Sequence, residues 1–244
     1  MNGEIMCEEI DTTIQSLGDP TIDSPLLATT RFVEESERVL IDSSLTAVNA
    51  CLRDRKKIPS FECAGPRKKI FFDPSKTKCG VVTCGGLCPG INDVIRGIVH
   101  ELYFIYRVEN IYGIPYGLQG FIPRYRHPFI DLTPSFVENI HELGGTVLGS
   151  SRGSQDIGEI VDAIERVNLN IVFFIGGDGT LKAASAVARE MLARGYTGSV
   201  IAIPKTIDND ISFVSQTFGF DTAVEESRKV IQCAHVESRG APCG

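Results

Sequence analysis

The fold of this chain is decided by residues 171–180, which read IVFFIGGDGT. The first five residues form an apolar run typical of a buried strand, and the glycines that follow predict a tight turn. Apolar residues then recur at the spacing of one helix face, at Leu181, Ala184, Val187, Ala188 and Met191. The stretch therefore predicts a strand, a glycine turn and a helix that ends at Gly195.

The same pattern occurs on both sides of this stretch. Upstream, residues 79–83 predict a buried strand, which passes through a glycine-rich turn at residues 85–90 into a helix. The apolar face of that helix consists of Val94, Ile95, Ile98, Val99 and Leu102. Downstream, residues 199–203 predict another strand, which Pro204 ends.

Two further helices are predicted between these strands. One leads into Ile171, with an apolar face that consists of Ile157, Ile160, Val161, Ile164 and Val167. The other begins at Thr133-Pro134, with Thr as the cap and Pro at the first helical position, and ends at Gly144-Gly145. Its expected buried residues are Phe136, Val137, Ile140 and Leu143.

Strands that alternate with amphipathic helices from Lys78 onward predict an α/β fold, a Rossmann-like parallel sheet with flanking helices. The predicted domain covers residues 78–237. It follows an N-terminal extension, residues 1–77, and precedes a polar tail, residues 238–244. In such a sheet the turns at the carboxyl ends of the strands gather at one edge, where ligands usually bind. We therefore expect the turns after the three predicted strands to converge.

Composition and charge narrow the class of protein. The 244 residues are 43% hydrophobic and 23% charged, as in ordinary soluble globular proteins. A net charge of −7 leaves no basic face of the size that nucleic-acid binding requires. The first twenty residues lack a secretory signal, and no stretch approaches membrane-spanning length. We expect a cytoplasmic protein that binds neither nucleic acid nor membrane.

The eight cysteines show no paired CxxC spacing, so we expect free thiols and assign no metal to the cysteines. Cys84 and Cys88 bracket two glycines, and a tight turn explains their spacing better than zinc does. The four histidines lack ligand spacing, and we expect them to be structural.

Two glycine-rich turns have the composition of phosphate-binding sites. The turn at residues 85–90 lets backbone amides approach an anion, and the helix after it adds its positive N-terminal end. Glycines that serve only to turn the chain are the alternative. The turn at residues 176–180 combines three glycines with Asp178, which suits phosphate oxygens and Mg²⁺ together. A helix N-cap is the alternative role for Asp178.

The third turn, residues 204–210, reads PKTIDND and is dense in polar groups. Asp208 could accept the proton of an attacking hydroxyl, while Asp210 could tune it or help position a metal ion. A solvated Asx turn is the alternative. Arg152, between Ser151 and Gly153, has a planar group that suits phosphate. Lys205 is consistent both with a phosphate contact and with a side chain that extends to solvent.

Taken in order, these segments resemble the signatures of the 6-phosphofructokinase family. They are residues 85–92, 176–180, 205–210 and 218–223, and the resemblance spans about residues 63–236. Residues 64–67 and the form GGLCPG of the first turn are similar to the plant and related microbial subgroup, which is mostly ATP-dependent. The resemblance implies the ATP-binding lobe of a phosphofructokinase fold.

The resemblance implies transfer of the ATP γ-phosphoryl group to the 1-hydroxyl of fructose 6-phosphate, which gives fructose 1,6-bisphosphate in glycolysis, with Mg²⁺ as the cofactor. It assigns ATP binding to Gly86, Arg152, Gly153, Gly177, Asp178, Gly179 and Thr180, with Asp178 also reaching Mg²⁺. It assigns the substrate end to Thr206, Ile207 and Asp208. Asp208 would be the base, Thr206 would steady the transferring phosphate, and Asp210 is a further candidate catalytic residue.

Two positions bear on the phosphoryl donor. Pyrophosphate-using relatives typically place Asp where this chain has Gly179, so Gly179 favours ATP. Lys205 favours pyrophosphate, although the plant-like ATP-using subgroup shares it. ATP is therefore the expected donor, and a pyrophosphate-dependent enzyme is an alternative.

The resemblance stops near Glu237. The family's Met-Gly-Arg motif and sugar-phosphate residues do not follow, so the carboxyl-terminal lobe is expected to be missing and ATP binding to survive where catalysis does not. The full-length protein is expected to be a homo-oligomer. The remaining alternatives are a non-catalytic ATP-binding fragment or regulatory subunit, and another kinase with a GGDGT turn, such as an NAD or lipid kinase.

Overall fold

The computed structural model describes residues 11–26 and 30–242, which fall into two compact units, Met1–Phe71 and Phe72–Gly244. The described elements of the first unit are β1 (Ile22–Asp23), β2 (Arg38–Leu40), α1 (Leu45–Arg53), β3 (Ser60–Glu62) and β4 (Lys69–Ile70). β1 pairs antiparallel with β4, and β2 with β3. Ser44 caps α1 by accepting a hydrogen bond from the amide of Ala47. The predicted site residues all belong to the second unit.

The second unit is built on a five-stranded sheet. Its strands and α-helices are β5 (Lys78–Thr83), α2 (Ile91–His100), β6 (Asn110–Ile114), β7 (Ile130–Asp131), α3 (Ile157–Val167), β8 (Ile171–Gly176), α4 (Asp178–Ala193), β9 (Ser199–Pro204) and α5 (Phe220–Gly240). A π-helical turn, Glu101–Ile105, extends α2, and 3₁₀ turns occupy Gly117–Phe121, Pro123–Tyr125 and Ile140–Glu142. The strand order is β7-β6-β5-β8-β9, in which β7 runs antiparallel to β6 and the other pairs are parallel.

The sheet carries a hydrophobic core on each face, because alternate residues of a strand point to opposite sides. Val82 and Phe174 belong to one core cluster, which α3 and α4 cover. Val81 and Ile175 belong to the other, which α2 covers. Helices on both faces of a mostly parallel sheet confirm the predicted α/β class, and the antiparallel edge strand β7 is an addition to it.

Local signals mark the beginning of α3 and the end of α4. Asp156 caps α3, since its carboxylate accepts a hydrogen bond of 2.9 Å from the amide of Glu159. After α4, Gly195 has a φ of +69°, in the left-handed region that favours glycine. α5 has no counterpart among the predicted helices, and it extends through Gly240 into the segment that we expected to be a polar tail.

The helix predicted to begin at Thr133 is wrong. Residues 134–139 form turns, and Ile140–Glu142 is a 3₁₀ turn. The cap signal is present, because Thr133 Oγ1 accepts a hydrogen bond of 3.1 Å from the amide of Phe136. However, Phe136 and Leu143 are 39% and 57% exposed, so the segment does not form the full apolar face that would hold a short helix against the core.

Most of the described cysteines are free thiols, as expected, but one is not. Free thiols occur at Cys63, Cys79, Cys84, Cys88 and Cys233. Cys51 is disulfide-bonded, so the expectation of a free thiol is wrong there, because pairing depends on proximity in space rather than on spacing in sequence. Cys7 and Cys243 lie outside the described residues. Within the described ranges, no helix is both long enough and apolar enough to span a bilayer.

A buried asparagine ties α2 to the loop that precedes the predicted Arg152 site. Asn92 is 1% exposed, its Nδ2 donates to the Leu143 carbonyl at 2.9 Å, and its Oδ1 accepts from the Val147 amide at 2.9 Å. Asn92→Ala leaves both backbone groups without these partners, so we expect the free energy of unfolding to fall by about 2 kcal/mol. Urea unfolding followed by circular dichroism measures the loss.

The matched control is Asn139→Ala, because Asn139 is exposed and its side chain makes no capping hydrogen bond. This substitution should change the free energy of unfolding by less than about 0.5 kcal/mol. Equal losses for the two variants would show that the Asn92 hydrogen bonds do not stabilise the fold.

Candidate functional site

The carboxyl ends of three parallel strands lie side by side. In the register of the sheet, Thr83 of β5 pairs with Ile175 of β8, and Ile175 pairs with Ile203 of β9. The turn that follows each strand therefore begins at the same edge of the sheet. This is the edge at which open parallel sheets usually bind ligands.

A cavity of about 840 Å³ lies at this edge. Its lining includes every residue that the resemblance assigned to the site: Gly86, Arg152, Gly153, Gly177, Asp178, Gly179, Thr180, Lys205, Thr206, Ile207, Asp208 and Asp210. These residues come from four separate segments of the chain. The expected convergence of the three turns is therefore present.

Lys205 connects the third turn to the first. Its Nζ donates a hydrogen bond of 2.5 Å to the carbonyl of Gly86, and the residue is only 4% exposed. Burial lowers the pKa of Lys205 from its ordinary value, while the nearby thiols of Cys88 and Cys84 act in the opposite direction. The alternative of a lysine that extends to solvent is therefore wrong.

The third turn is braced by its own polar groups. Thr206 Oγ1 donates to Asp210 Oδ1 at 2.8 Å and accepts from the Asp208 amide at 3.1 Å. Asn209 Oδ1 accepts from the Thr217 amide at 2.8 Å, and Thr217 Oγ1 donates to the Thr206 carbonyl at 3.1 Å. Both carboxylates, Asp208 and Asp210, are exposed and line the cavity. The turn thus has Asx-type bonding and also presents two carboxylates to the cavity.

Gly177, rather than Asp178, occupies the N-cap position of α4. The Gly177 carbonyl accepts from the amides of Thr180 and Leu181 at 2.8 Å and 3.0 Å. Asp178 is the first helical residue and is exposed, so the N-cap alternative for Asp178 is wrong. The cavity therefore meets the positive end of the α4 dipole, which favours anions.

Packing requires a glycine at one position of the second turn but not at another. A Cβ at Gly176 would overlap the side chain of Thr180, so packing requires glycine there. A Cβ at Gly179 would meet no heavy atom within 4 Å. Packing therefore does not explain Gly179, which lines the cavity.

The segment that carries Arg152 is bonded to the first turn. The Gly85 amide donates to the Ser151 carbonyl at 3.2 Å, and Ser150 Oγ donates to the Gly85 carbonyl at 2.6 Å. Thr83 Oγ1 donates to the Gly149 carbonyl at 2.8 Å. These hydrogen bonds hold the exposed guanidinium of Arg152 beside the glycine turn.

Other residues of the lining were not named from the sequence. Lys182 is the fifth residue of α4, one turn after Asp178, so its position beside the ligand edge follows from the predicted helix. Gln155 follows the Arg152 segment closely. Leu118 lies in a 3₁₀ turn without a periodic pattern, so no signal in the sequence indicates its place in the site.

The donor set fits Mg²⁺ that is bound together with phosphates. Asp178, Asp208 and Asp210 contribute carboxylates to the lining. Across the part of the chain that the structure describes, no three or more His, Cys, Asp or Glu side chains are grouped to hold a metal ion. Mg²⁺ typically binds through one or two carboxylates plus phosphate oxygens and waters, so a full protein cage is not needed.

A family model described as Phosphofructokinase matches residues 78–241 of the chain. The chain belongs to the phosphofructokinase family. The match covers β5 to α5, and therefore all the segments that line the cavity.

Curated phosphofructokinases extend the likeness over nearly the whole chain. The chain is 45% identical over 240 residues to the ATP-dependent 6-phosphofructokinase of Borreliella burgdorferi. It is 41% identical over 238 residues to ATP-dependent 6-phosphofructokinase 7 of Arabidopsis thaliana. The alignments cover 96% and 97% of this chain, but only 53% and 48% of the relatives. The chain thus spans about half the length of the curated relatives it matches.

Solved phosphofructokinases share the fold. Phosphofructokinase from Saccharomyces cerevisiae aligns with a TM-score of 0.55 and 21% sequence identity. The alignment covers 68% of this chain and 25% of the yeast chain. A pyrophosphate-dependent phosphofructokinase from Marinobacter aquaeolei aligns with a TM-score of 0.54 and 21% identity, over 59% and 37% of the two chains. These likenesses confirm the predicted fold. The roles of individual residues stay predictions.

Two buried thiols should be protected from alkylation. Burial raises the pKa of Cys84 to about 11 and that of Cys79 to about 12, and only the thiolate is reactive. At about pH 8 both should react with iodoacetamide far more slowly than the exposed Cys233. Because folding raises the pKa of Cys84, the protection should be full below the ordinary thiol pKa and should disappear as the pH rises toward 11.

Peptide mapping by mass spectrometry across this pH range measures the relative rates. Cys63, which is partly exposed, serves as an internal control of intermediate reactivity. Alkylation of Cys84 as fast as that of Cys233 at about pH 8 would contradict its burial.

Proposed function

We propose that this chain is the ATP-binding part of an ATP-dependent 6-phosphofructokinase, which transfers the γ-phosphoryl group of ATP to the 1-hydroxyl of fructose 6-phosphate. One observation carries the proposal: the two glycine turns, the Arg152 segment and residues 205–210 line a single cavity. Relatives that are 41% and 45% identical to this chain bear the name of that activity. A cytoplasmic, glycolytic enzyme that is a homo-oligomer at full length is part of the same proposal.

Positioning and neutralisation of charge are the main requirements of phosphoryl transfer. Backbone amides near Gly86 and the N-terminal end of α4 would bind the phosphates. Arg152 adds a guanidinium, and Lys205 adds a buried ammonium held against Gly86. When bound with the phosphates near Asp178, Mg²⁺ supplies further neutralisation of their charge. These groups surround the donor without forming a covalent intermediate.

Asp208 is the proposed general base. Its exposed carboxylate takes the proton of the sugar 1-hydroxyl as that oxygen bonds to the γ-phosphorus and the bond to ADP breaks. The hydroxyl of Thr206 would contact the transferring phosphate, and its orientation is set by Asp210 at 2.8 Å. Asp210 therefore acts through Thr206, as a positioning residue. Ile207 completes the substrate side of the cavity.

The space around Gly179 favours ATP as the donor. An Asp at this position would place a carboxylate in the open cavity, where it would repel the phosphates of a nucleotide. Lys205 does not discriminate between the donors, because one N–H of its ammonium is bonded to the Gly86 carbonyl and the other two can contact the phosphates of either donor.

A chain that binds ATP without turnover is the second candidate, because the groups that suit phosphates, at the two glycine turns and at Arg152, line the cavity together. A lipid or NAD kinase is less consistent with the cavity, because residues 205–210 contribute a base and a braced threonine to it.

Gly179→Asp should weaken ATP binding by about tenfold or more, because the new carboxylate would lie beside the phosphates. The matched control is Gly97→Asp on α2, where an added Cβ also meets no heavy atom within 4 Å but which lies outside the cavity. Isothermal titration calorimetry with ATP and Mg²⁺ measures both affinities. A similar affinity for the two variants would remove Gly179 from the donor site.

The activity itself is tested by a coupled assay for fructose 1,6-bisphosphate, run beside ATP calorimetry. ATP binding with product supports the enzyme, and ATP binding without product supports the non-catalytic chain. Where product forms, Asp208→Asn should lower kcat by about 10²–10⁴ and leave ATP affinity unchanged. Asp93→Asn, which removes an exposed carboxylate from α2, is the control.

The absence of ATP binding would count against both candidates. An unchanged kcat in Asp208→Asn would exclude Asp208 as the base. Product formed with pyrophosphate but not with ATP would replace the proposed donor with the alternative one.

A further inference from the structure

A second cavity, of about 380 Å³, shares no lining residue with the first. It lies between the last turn of α3 and residues 120–131, and Tyr112 of β6 contributes to its wall. We propose that this cavity binds a small organic monophosphate that carries an aromatic group. The proposal rests on the charges, the rings and the size of the cavity, and it is independent of the proposed function.

Two guanidinium groups approach the cavity from different elements. Arg126 follows a 3₁₀ turn, and Arg166 lies in the last turn of α3. Among the described residues, no carboxylate forms an ion pair with either of them. Arg194, by contrast, pairs with three carboxylates. Both guanidinium groups are thus available to an anion, and their planar donors match phosphate oxygens.

The remaining polar groups of the lining leave it positively charged. His127 contributes an imidazole, and Asp131 is the one acidic residue of the lining. Arg126, which is the C-cap of the 3₁₀ turn Pro123–Tyr125, and Arg166 therefore outnumber the single carboxylate of the lining.

Aromatic rings form the apolar part of the cavity. Phe121 packs edge to face with Phe129, at 6.2 Å between centroids, and stacks on Phe174 of β8 at 6.0 Å. His127 is stacked with Tyr125 at 6.2 Å. Phe121 is only 1% exposed and supports this wall from behind. The half-buried rings of Tyr112, His127 and Phe129 line the cavity, and a planar aromatic ligand gains contact area against them.

The volume limits the size of the ligand. Binding cavities for small organic molecules usually measure about 300–1,000 Å³. At about 380 Å³ this cavity lies near the lower limit, so it fits a compact ligand rather than an extended nucleoside triphosphate. Inorganic phosphate would contact the arginines but not the rings. A monophosphate with one aromatic group uses both.

Calorimetric titration of the full chain with phenyl phosphate, in the presence of excess ATP and Mg²⁺, tests the proposal. We expect saturable binding that ATP does not displace. Inorganic phosphate and phenol should each bind at least about tenfold more weakly, because each makes only part of the contacts. The double variant Arg126→Gln, Arg166→Gln should lower the affinity for phenyl phosphate by at least about tenfold.

Arg189→Gln is the matched control, because Arg189 is exposed on α4 and lies outside both cavities. It removes the same charge and should leave phenyl phosphate binding unchanged. The proposal is overturned if the double variant binds like the wild type, if ATP displaces phenyl phosphate, or if inorganic phosphate binds as tightly.

If the double variant does not fold, two other measurements test the proposal. Arg166→Gln changes one exposed helix residue and should still lower the affinity severalfold. In the wild-type chain, phenyl phosphate should shift the amide resonances of Phe121, Phe129 and Arg166. Shifts confined to the glycine turns of the first cavity would overturn the proposal.

Discussion

The candidate site depends on the parallel pairing of β8 with β5 on one side and with β9 on the other. Parallel strands in register end at the same edge, so the turns that follow them must start next to each other. A shift of one residue would turn every strand side chain to the opposite face and expose one of the two cores. The hydrophobic burial that fixes this register therefore also fixes the position of the turns that we propose to bind phosphates.

Hydrogen bonds between the turns then give the sheet edge a defined shape. The bond from Lys205 to the Gly86 carbonyl joins residues that are 119 positions apart, and Ser150 bonds to Gly85 across 65 positions. A buried ammonium is costly unless it is paired, so Lys205 and the Gly86 carbonyl constrain each other. The first turn is thereby held from two sides, which is the kind of pre-organisation that the proposed phosphoryl transfer requires.

Prediction from the sequence succeeded where the local pattern and the tertiary environment favour the same structure. α3 and α4 have clear ends and form as predicted, with apolar faces that are at least partly buried except at Ala188. The segment from Thr133 has equally clear end signals but only part of its apolar face is buried, and it forms turns. End signals are local, whereas the stability of a short helix comes mainly from packing against the rest of the protein.

The sequence by itself determined the α/β class, the three turns and the residue types that suit phosphate, because strand and helix periods and glycine requirements are local properties. Only the tertiary structure decided that Lys205 is buried against Gly86, that Gly177 rather than Asp178 caps α4, and that Gly179 borders open space. The second cavity also became visible only in the structure, because Arg126 and Arg166 meet there from distant segments. Contacts of this kind depend on strand order and packing, which no local pattern encodes.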